Sequence, residues 1–182
     1  TVGIQNLNNN IRIDGGAITV QQDITIQGPG ADQLALKGSD GALNISDSTR
    51  VRIHDLSFAH CTKISSGSTE GGAIYNAGWL TVEDAVFEDN LVQGFIAKGG
   101  AIFSISGGSG VLDSLIVRRC RFSRNRSVNI DGLSEGGAIA TDNSALIIED
   151  AYFERNQARS SFSGGARGGG VASSGPMEVT GS

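Results

Sequence analysis

Two short motifs recur along this chain in a fixed order, and that recurrence limits its folding more than any other feature. Gly-Gly-Ala-Ile occupies 71–74, 99–102 and 136–139, and Gly168-Gly169-Gly170-Val171 is a fourth, altered copy. Phe-x-x-Asn follows at Phe87 to Asn90, Phe122 to Asn125 and Phe153 to Asn156, with a degenerate earlier copy in Phe58-Ala-His-Cys61. The phenylalanines are 29, 35 and 31 residues apart. The unit is therefore about thirty residues long, a period at which each unit buries its apolar face against its neighbours. The extra length of the middle unit falls at residues 104–110, where Ser-Ile-Ser-Gly-Gly-Ser-Gly reads as a loop.

Alignment on the Phe gives columns of constant character. Seven residues before it stand Val51, Leu80, Leu115 and Leu146; five before, Ile53, Val82, Val117 and Ile148; two before, Leu56, Ala85, Cys120 and Ala151. Apolar residues at these intervals describe two short period-2 strands joined by a bend, and Gly-Gly-Ala-Ile supplies a third. The pattern predicts an all-β, right-handed parallel β-helix (solenoid) of about six coils with three short strands per coil, stacked at ~4.8 Å into a rod roughly 30 Å long. Its ends are expected to be open edges, which calls for neighbouring sequence on at least one side. One domain spans 1–182: residues 1–60 form irregular N-terminal coils and residues 61–182 the repeat coils.

Composition agrees. With 27 Gly and 2 Pro, glycines recur every few residues, and each costs a helix interior roughly 1 kcal/mol relative to Ala. A net charge of −5 lacks the basic footprint of a nucleic-acid binder. No apolar run approaches the ~20 residues of a membrane-spanning helix, so membrane insertion is not expected. The chain starts at Thr1 with no signal-peptide pattern and reads as a fragment or a mature piece. Two cysteines, Cys61 and Cys120, make neither a disulfide framework nor a zinc spacing.

The paired motifs at 71 to 90, 99 to 125 and 136 to 156 resemble the repeats of polymorphic outer membrane proteins, within the wider pectin-lyase-like group. The stretch Asp23-Ile-Thr-Ile-Gln-Gly-Pro-Gly-Ala-Asp32, followed by Leu34-Ala-Leu36, is similar to the opening coils of large secreted bacterial β-helix proteins. The resemblance implies a surface-exposed β-helical passenger of the adhesin type. It departs from the pattern where Cys61 replaces Asn and Gly170-Val171 replaces Ala-Ile, and no translocating barrel is present.

Phe58, Phe87, Phe122 and Phe153, with Asn90, Asn125 and Asn156, are assigned to a structural ladder. Asn at a solenoid corner is expected to take unusual backbone angles and to bond its amide to the next coil. The paired glycines are expected to allow positive φ and close approach between coils; no Lys-Ser follows to make a phosphate cradle. Four and three residues before each Phe stand His54, Glu83, Arg118, Glu149 and Asp55, Asp84, Arg119, Asp150. Glu83, Asp84, Arg118, Arg119, Glu149 and Asp150 are assigned to a charge ladder, with each arginine between acidic neighbours above and below. The same carboxylates could hold Ca²⁺ in a polysaccharide lyase, with a basic group taking the proton beside a uronate carboxyl. His54, Asp55, His60 and Cys61 share one coil, but Cys61 occupies an inward column and His54 an outward one, which argues against a common metal ion. No catalytic residue, metal site or cofactor is assigned. Cys61 and Cys120 lie in different columns about two coils apart and are read as small buried apolar groups. Asn44-Ile-Ser46 and Asn125-Arg-Ser127 match the glycosylation pattern. Trp79 and Tyr75 flank a turn at Gly78 and Tyr152 points outward, where stacking on sugars competes with packing over a corner.

These readings favour a non-catalytic segment of a bacterial surface or secreted protein, extracellular or at the cell surface, acting as an adhesive surface or an extended stalk. Its expected partners are host-cell or extracellular glycans or proteins, and neighbouring coils of the parent chain. Binding is expected on outward side chains and on three irregular loops, residues 104–110, 128–134 and 159–167. The rival is a carbohydrate-active β-helix enzyme, a lyase or hydrolase, with a cleft floored by Asp55, Glu83, Asp84, Glu149 and Asp150.

Overall fold

Columns of like residues can share one core only if the repeats stack in register, and they do. The computed structural model describes residues 3–6, 9–106, 114–161 and 164–182, which form strands and turns without a helix. Three principal sheets run along the axis. The first holds Asn10–Asp14, Ala35–Gly38, Ser57–Ala59, Val86–Glu88, Arg121–Ser123 and Tyr152–Glu154. The second holds Ile18–Val20, Leu43–Ile45, Ile74–Asn76, Ile102–Ile105, Ile139–Asp142 and Val171–Ser173. The third holds Ile24–Gln27, Arg50–His54, Trp79–Glu83, Ser114–Arg118, Ala145–Glu149 and Met177–Thr180. Successive strands pair in parallel, with Phe58, Phe87, Phe122 and Phe153 opposite one another. Six layers are stacked, about five turns separating the first from the last. This is the predicted parallel β-helix, with three principal strands per coil.

Two four-stranded sheets, in the last four layers, elaborate the connection between the first and second principal sheets. One holds Thr62–Ile64, Leu91–Gly94, Arg126–Asn129 and Gln157–Ser160; the other holds Ser68–Glu70, Ile96–Lys98, Leu133–Glu135 and Gly165–Arg167. They make a thin lobe because the side chains between them are small: Thr69, Val92, Ala97, Ser127 and Ser134 are all buried. The lobe corrects two expectations. Residues 128–134 and 159–167 lie largely in these strands and not in irregular loops, with 162–163 outside the described residues. Of the third expected loop, Ser104 and Ile105 belong to a strand, Ser104 is buried, and 107–110 lie outside the described residues. The insertion occupies 106–113, eight residues between the second and third sheets where the layers on either side use two.

Of the open edges expected at the ends, one is covered and the others stand, those of Ile18–Val20 and Ile24–Gln27 among them. Gly3–Asn6 pairs antiparallel with Asn10–Asp14 and covers the first sheet's edge. At the other end Met177 and Val179 stand about half exposed.

Inside, the rings of Phe58, Phe87, Phe122 and Phe153 stack 4.8–4.9 Å apart and within 5° of parallel. Beside them the Asn90 Nδ2 donates to Asn125 Oδ1 at 2.9 Å, and the Asn125 Nδ2 donates to Asn156 Oδ1 at 2.9 Å. Each Nδ2 also donates to a carbonyl of the preceding layer, at Phe58, Phe87 and Phe122. Cys61 ends the column by donating its backbone N–H to Asn90 Oδ1. The unusual backbone angle expected of Asn falls instead on the residue before it: His60, Asp89, Arg124 and Arg155 have φ of 53–55°. A second corner, between the third and first sheets, puts Asp55, Asp84, Arg119 and Asp150 at φ of 50–58°. These corners spend one left-handed residue each so that the chain can turn within a single layer and aim the next side chain inward. The first glycine of each pair takes the same region, with Gly99 at φ 65°. The second lies against the next layer: a Cβ on Gly100 would collide with the Gly137 carbonyl oxygen and the Arg126 backbone.

Asn125→Ala should therefore destabilise the fold by about 3 kcal/mol or more, because it removes from the core the acceptor of both the backbone and side-chain N–H of Asn90 and a donor to the Phe87 carbonyl. Gly100→Ala should cost at least as much, since backbone of the next layer must move at two places. Denaturant unfolding of the two variants beside the parent chain checks both.

Candidate functional site

Outward positions of the third sheet carry the densest ion pairing. Arg52, Glu83, Arg118 and Glu149 alternate in sign along the axis. The Arg52 Nη2 lies 2.5 Å and its Nε 2.8 Å from Glu83 Oε2. Arg118 spans two carboxylates, at 3.6 Å from Glu83 Oε1 and 2.6 Å from Glu149 Oε2. Glu83 is buried beneath the two guanidiniums. Hydrogen bonding from Arg118 holds the Glu149 carboxyl below the usual carboxylate range. Arg52 extends this ladder by one layer and was not legible as a member: it lies two positions from the Glu83 column and reaches it diagonally.

The corner column behaves differently. Arg119 grips Asp84 through its Nε and Nη2 at 2.8–2.9 Å, which pulls the Asp84 pKa down. It does not reach Asp150, which has no ion pair among the described residues, so Arg119 is not held from above and below as expected. Asp55 turns to His54, Oδ2 to Nδ1 at 2.8 Å. At the other corner Arg124 bonds Asp89 at 2.9 Å through two nitrogens and Glu88 at 2.5 Å, which lowers the Asp89 pKa. At each corner one pair of left-handed residues, Asp84 with Arg119 and Asp89 with Arg124, thus meets across adjacent layers.

A third network lies on the outer lobe. Glu70, Lys98, Glu135 and Arg167 occupy one register row, and Lys98 Nζ also sits 2.5 Å from Asp142 Oδ2. Burial works against the Lys98 charge, yet its contacts with Asp142 and Glu135 raise its pKa overall. Burial raises the Glu70 pKa, against the pull of Lys98. Alignment on the Phe hides this row because the intervening length varies; alignment on the glycines reveals it, since each member directly precedes a Gly-Gly pair.

His60 is exposed at its corner, while Cys61 is buried with its Sγ directed at the Leu36 carbonyl. Among the described residues no group of three or more His, Cys, Asp or Glu side chains is placed to hold a metal ion. Burial pushes both the Cys61 and the Cys120 thiols up to about 12.

Trp79 begins its strand on the outer face of the third sheet, half-buried, with the Arg50 guanidinium 4.8 Å from its ring centre. A shallow cavity of about 510 Å³ opens around it, reaching from Asp23 and Thr25 past Arg50 and Arg52 to Ser114 and Ile116.

Fold and side-chain ladders together define a parallel β-helix domain. The chain is similar to the "Probable autotransporter YfaL" of Escherichia coli (strain K12), at 32% identity over 154 residues, which is 83% of this chain and 11% of the relative. It thus spans about a tenth of that relative's length. No family profile and no solved structure matches the chain.

Two outcomes follow. Asp84, Asp89 and Glu149 bind protons less readily folded than unfolded, so their support is complete above the usual carboxylate range and is lost as pH falls through their lowered values. Asp84→Asn should lower the Tm at neutral pH by a few degrees at most, and the gap should close below about pH 4, as thermal melts across pH would show. Native chain should resist iodoacetamide at both thiols and react at both once unfolded, read by mass spectrometry.

Proposed function

We propose that this chain is a segment of a bacterial surface or secreted β-helix passenger, of the adhesin-like, polymorphic outer membrane repeat type within the pectin-lyase-like group. It acts without catalysis, presenting its outward side chains to glycans or proteins outside the cell. The observation that carries the reading is the conjunction of a parallel β-helix of repeated coils with 32% identity to an autotransporter over 83% of the chain. The arginines on the outer carboxylates support the non-catalytic side of it. Glu83, Glu149 and Asp84 are each held by a guanidinium, whereas a lyase or hydrolase needs carboxylates that converge on a substrate. A rod of stacked coils suits display, because each added layer extends reach without a new core.

The test is to fuse the chain to a translocating β-barrel on the surface of E. coli and measure retention of the cells on epithelial monolayers and on immobilised extracellular matrix. Retention several-fold above cells displaying the barrel alone is the expected outcome. Proteolytic shaving that shows intact display without retention would leave a spacer, and release of fragments from polysaccharide would make the chain an enzyme.

A further inference from the structure

The outermost column of the third sheet, read along the axis, is Arg50, Trp79, Ser114 and Ala145. In this column a tryptophan is followed by two small residues. Among the described residues, Ser114, one layer of ~4.8 Å further on, leaves space beside the ring face that Arg50 does not cover. The next outward column, Thr25, Arg52, Thr81 and Ile116, floors the same cavity. The whole depression crosses four layers, about 14 Å, the span of a few sugar units.

Its chemistry narrows the occupant. Backbone groups of the central strands are already paired with layers on both sides, so a peptide strand has no edge to extend. Two arginines, Asp23 and three hydroxyl side chains around the aromatic make it too polar for a lipid chain. The net charge of −5 disfavours a polyphosphate. What remains is a ligand with an apolar C–H face and a hydroxylated edge. Arg50 has no carboxylate within ion-pair distance among the described residues and is available to such a ligand.

We propose that this depression is a saccharide-binding subsite in which a short pyranose oligomer packs a C–H face on Trp79, with Asp23 and Arg50 at one end and Ser114 at the other. It rests on the adhesive reading above and names the ligand class for it. Asp23 accepts the Arg50 backbone N–H at 2.8 Å, which fixes the two residues relative to each other before a ligand arrives.

Trp79 is the single tryptophan of the chain, so its emission reports on this site alone. The chain is titrated with chitohexaose, a neutral probe, and with a hyaluronan hexasaccharide, a uronate-bearing one. A saturable emission change with at least one of them is expected, weakened at least about tenfold by Ser114→Leu, which fills the gap and leaves the buried columns intact. Arg50→Ala, at an exposed position, is the second variant should Ser114→Leu fail to fold, and it is expected to weaken binding several-fold. Tighter binding of hyaluronan would assign Arg50 to the carboxylate, and equal binding would assign recognition to the ring and hydroxyls. No emission change with either probe up to about 10 mM, or titrations that neither variant alters, would overturn the site. Retention of displayed cells with a flat titration would sink this subsite and spare the display reading; a working subsite on cells that are not retained would do the opposite.

Discussion

Hydrogen bonds between layers run along the axis of this molecule and hold successive strands ~4.8 Å apart, and every other feature is subordinate to that spacing. A side chain at any position finds the equivalent side chain of the next repeat directly above it, too close to ignore. Residues that attract their own kind can therefore form columns without further design. Phenylalanine does so by stacking, asparagine by donating its amide to the next carboxamide, and the aliphatic columns of the third sheet by contact. Charged residues cannot, and the outer face resolves this by alternating sign from layer to layer.

The same rule distributes energy unevenly between inside and outside. An amide column in the core must be complete, since each unpaired group there costs its full desolvation. The ion pairs outside are partly solvated, and each contributes little alone. Both are arranged by one device, the left-handed corner residue, which turns the chain within a layer so that Asn90 points inward while Asp89 points out to Arg124. The strain of eight non-glycine residues at positive φ in these two corners is offset by what they place on either side.

The principal sheets were legible in the sequence because the eight residues ending in each Phe keep constant spacing, so Leu80, Val82, Ala85 and Phe87 announce two strands and the bend between them. The lobe was not. Its strands carry small and polar residues, Thr69, Ala97, Ser127 and Ser134, without the apolar alternation that marks a half-buried strand, and the lengths between them differ from layer to layer. Nor could the corners be assigned to the right residue, since Asp, His and Arg share the left-handed role while Asn, the residue that tolerates it well, is needed for its side chain. The Trp79 depression combines residues 56 positions apart between Asp23 and Trp79, and only strand register brings them together.

The insertion at 106–113 shows what kinds of change such a molecule can absorb. Eight residues enter where the neighbouring layers have two, yet Ile102 and Leu115 still fall opposite Ile139 and Leu146. Length added within a connection between sheets leaves the flanking columns in register, and so does duplication of a complete coil. A single residue gained or lost between Val82 and Asn90 would shift one layer against all the others. Variation in this architecture is thus quantised along the axis and continuous across it: length changes by whole coils, while surface relief can be sculpted one residue at a time.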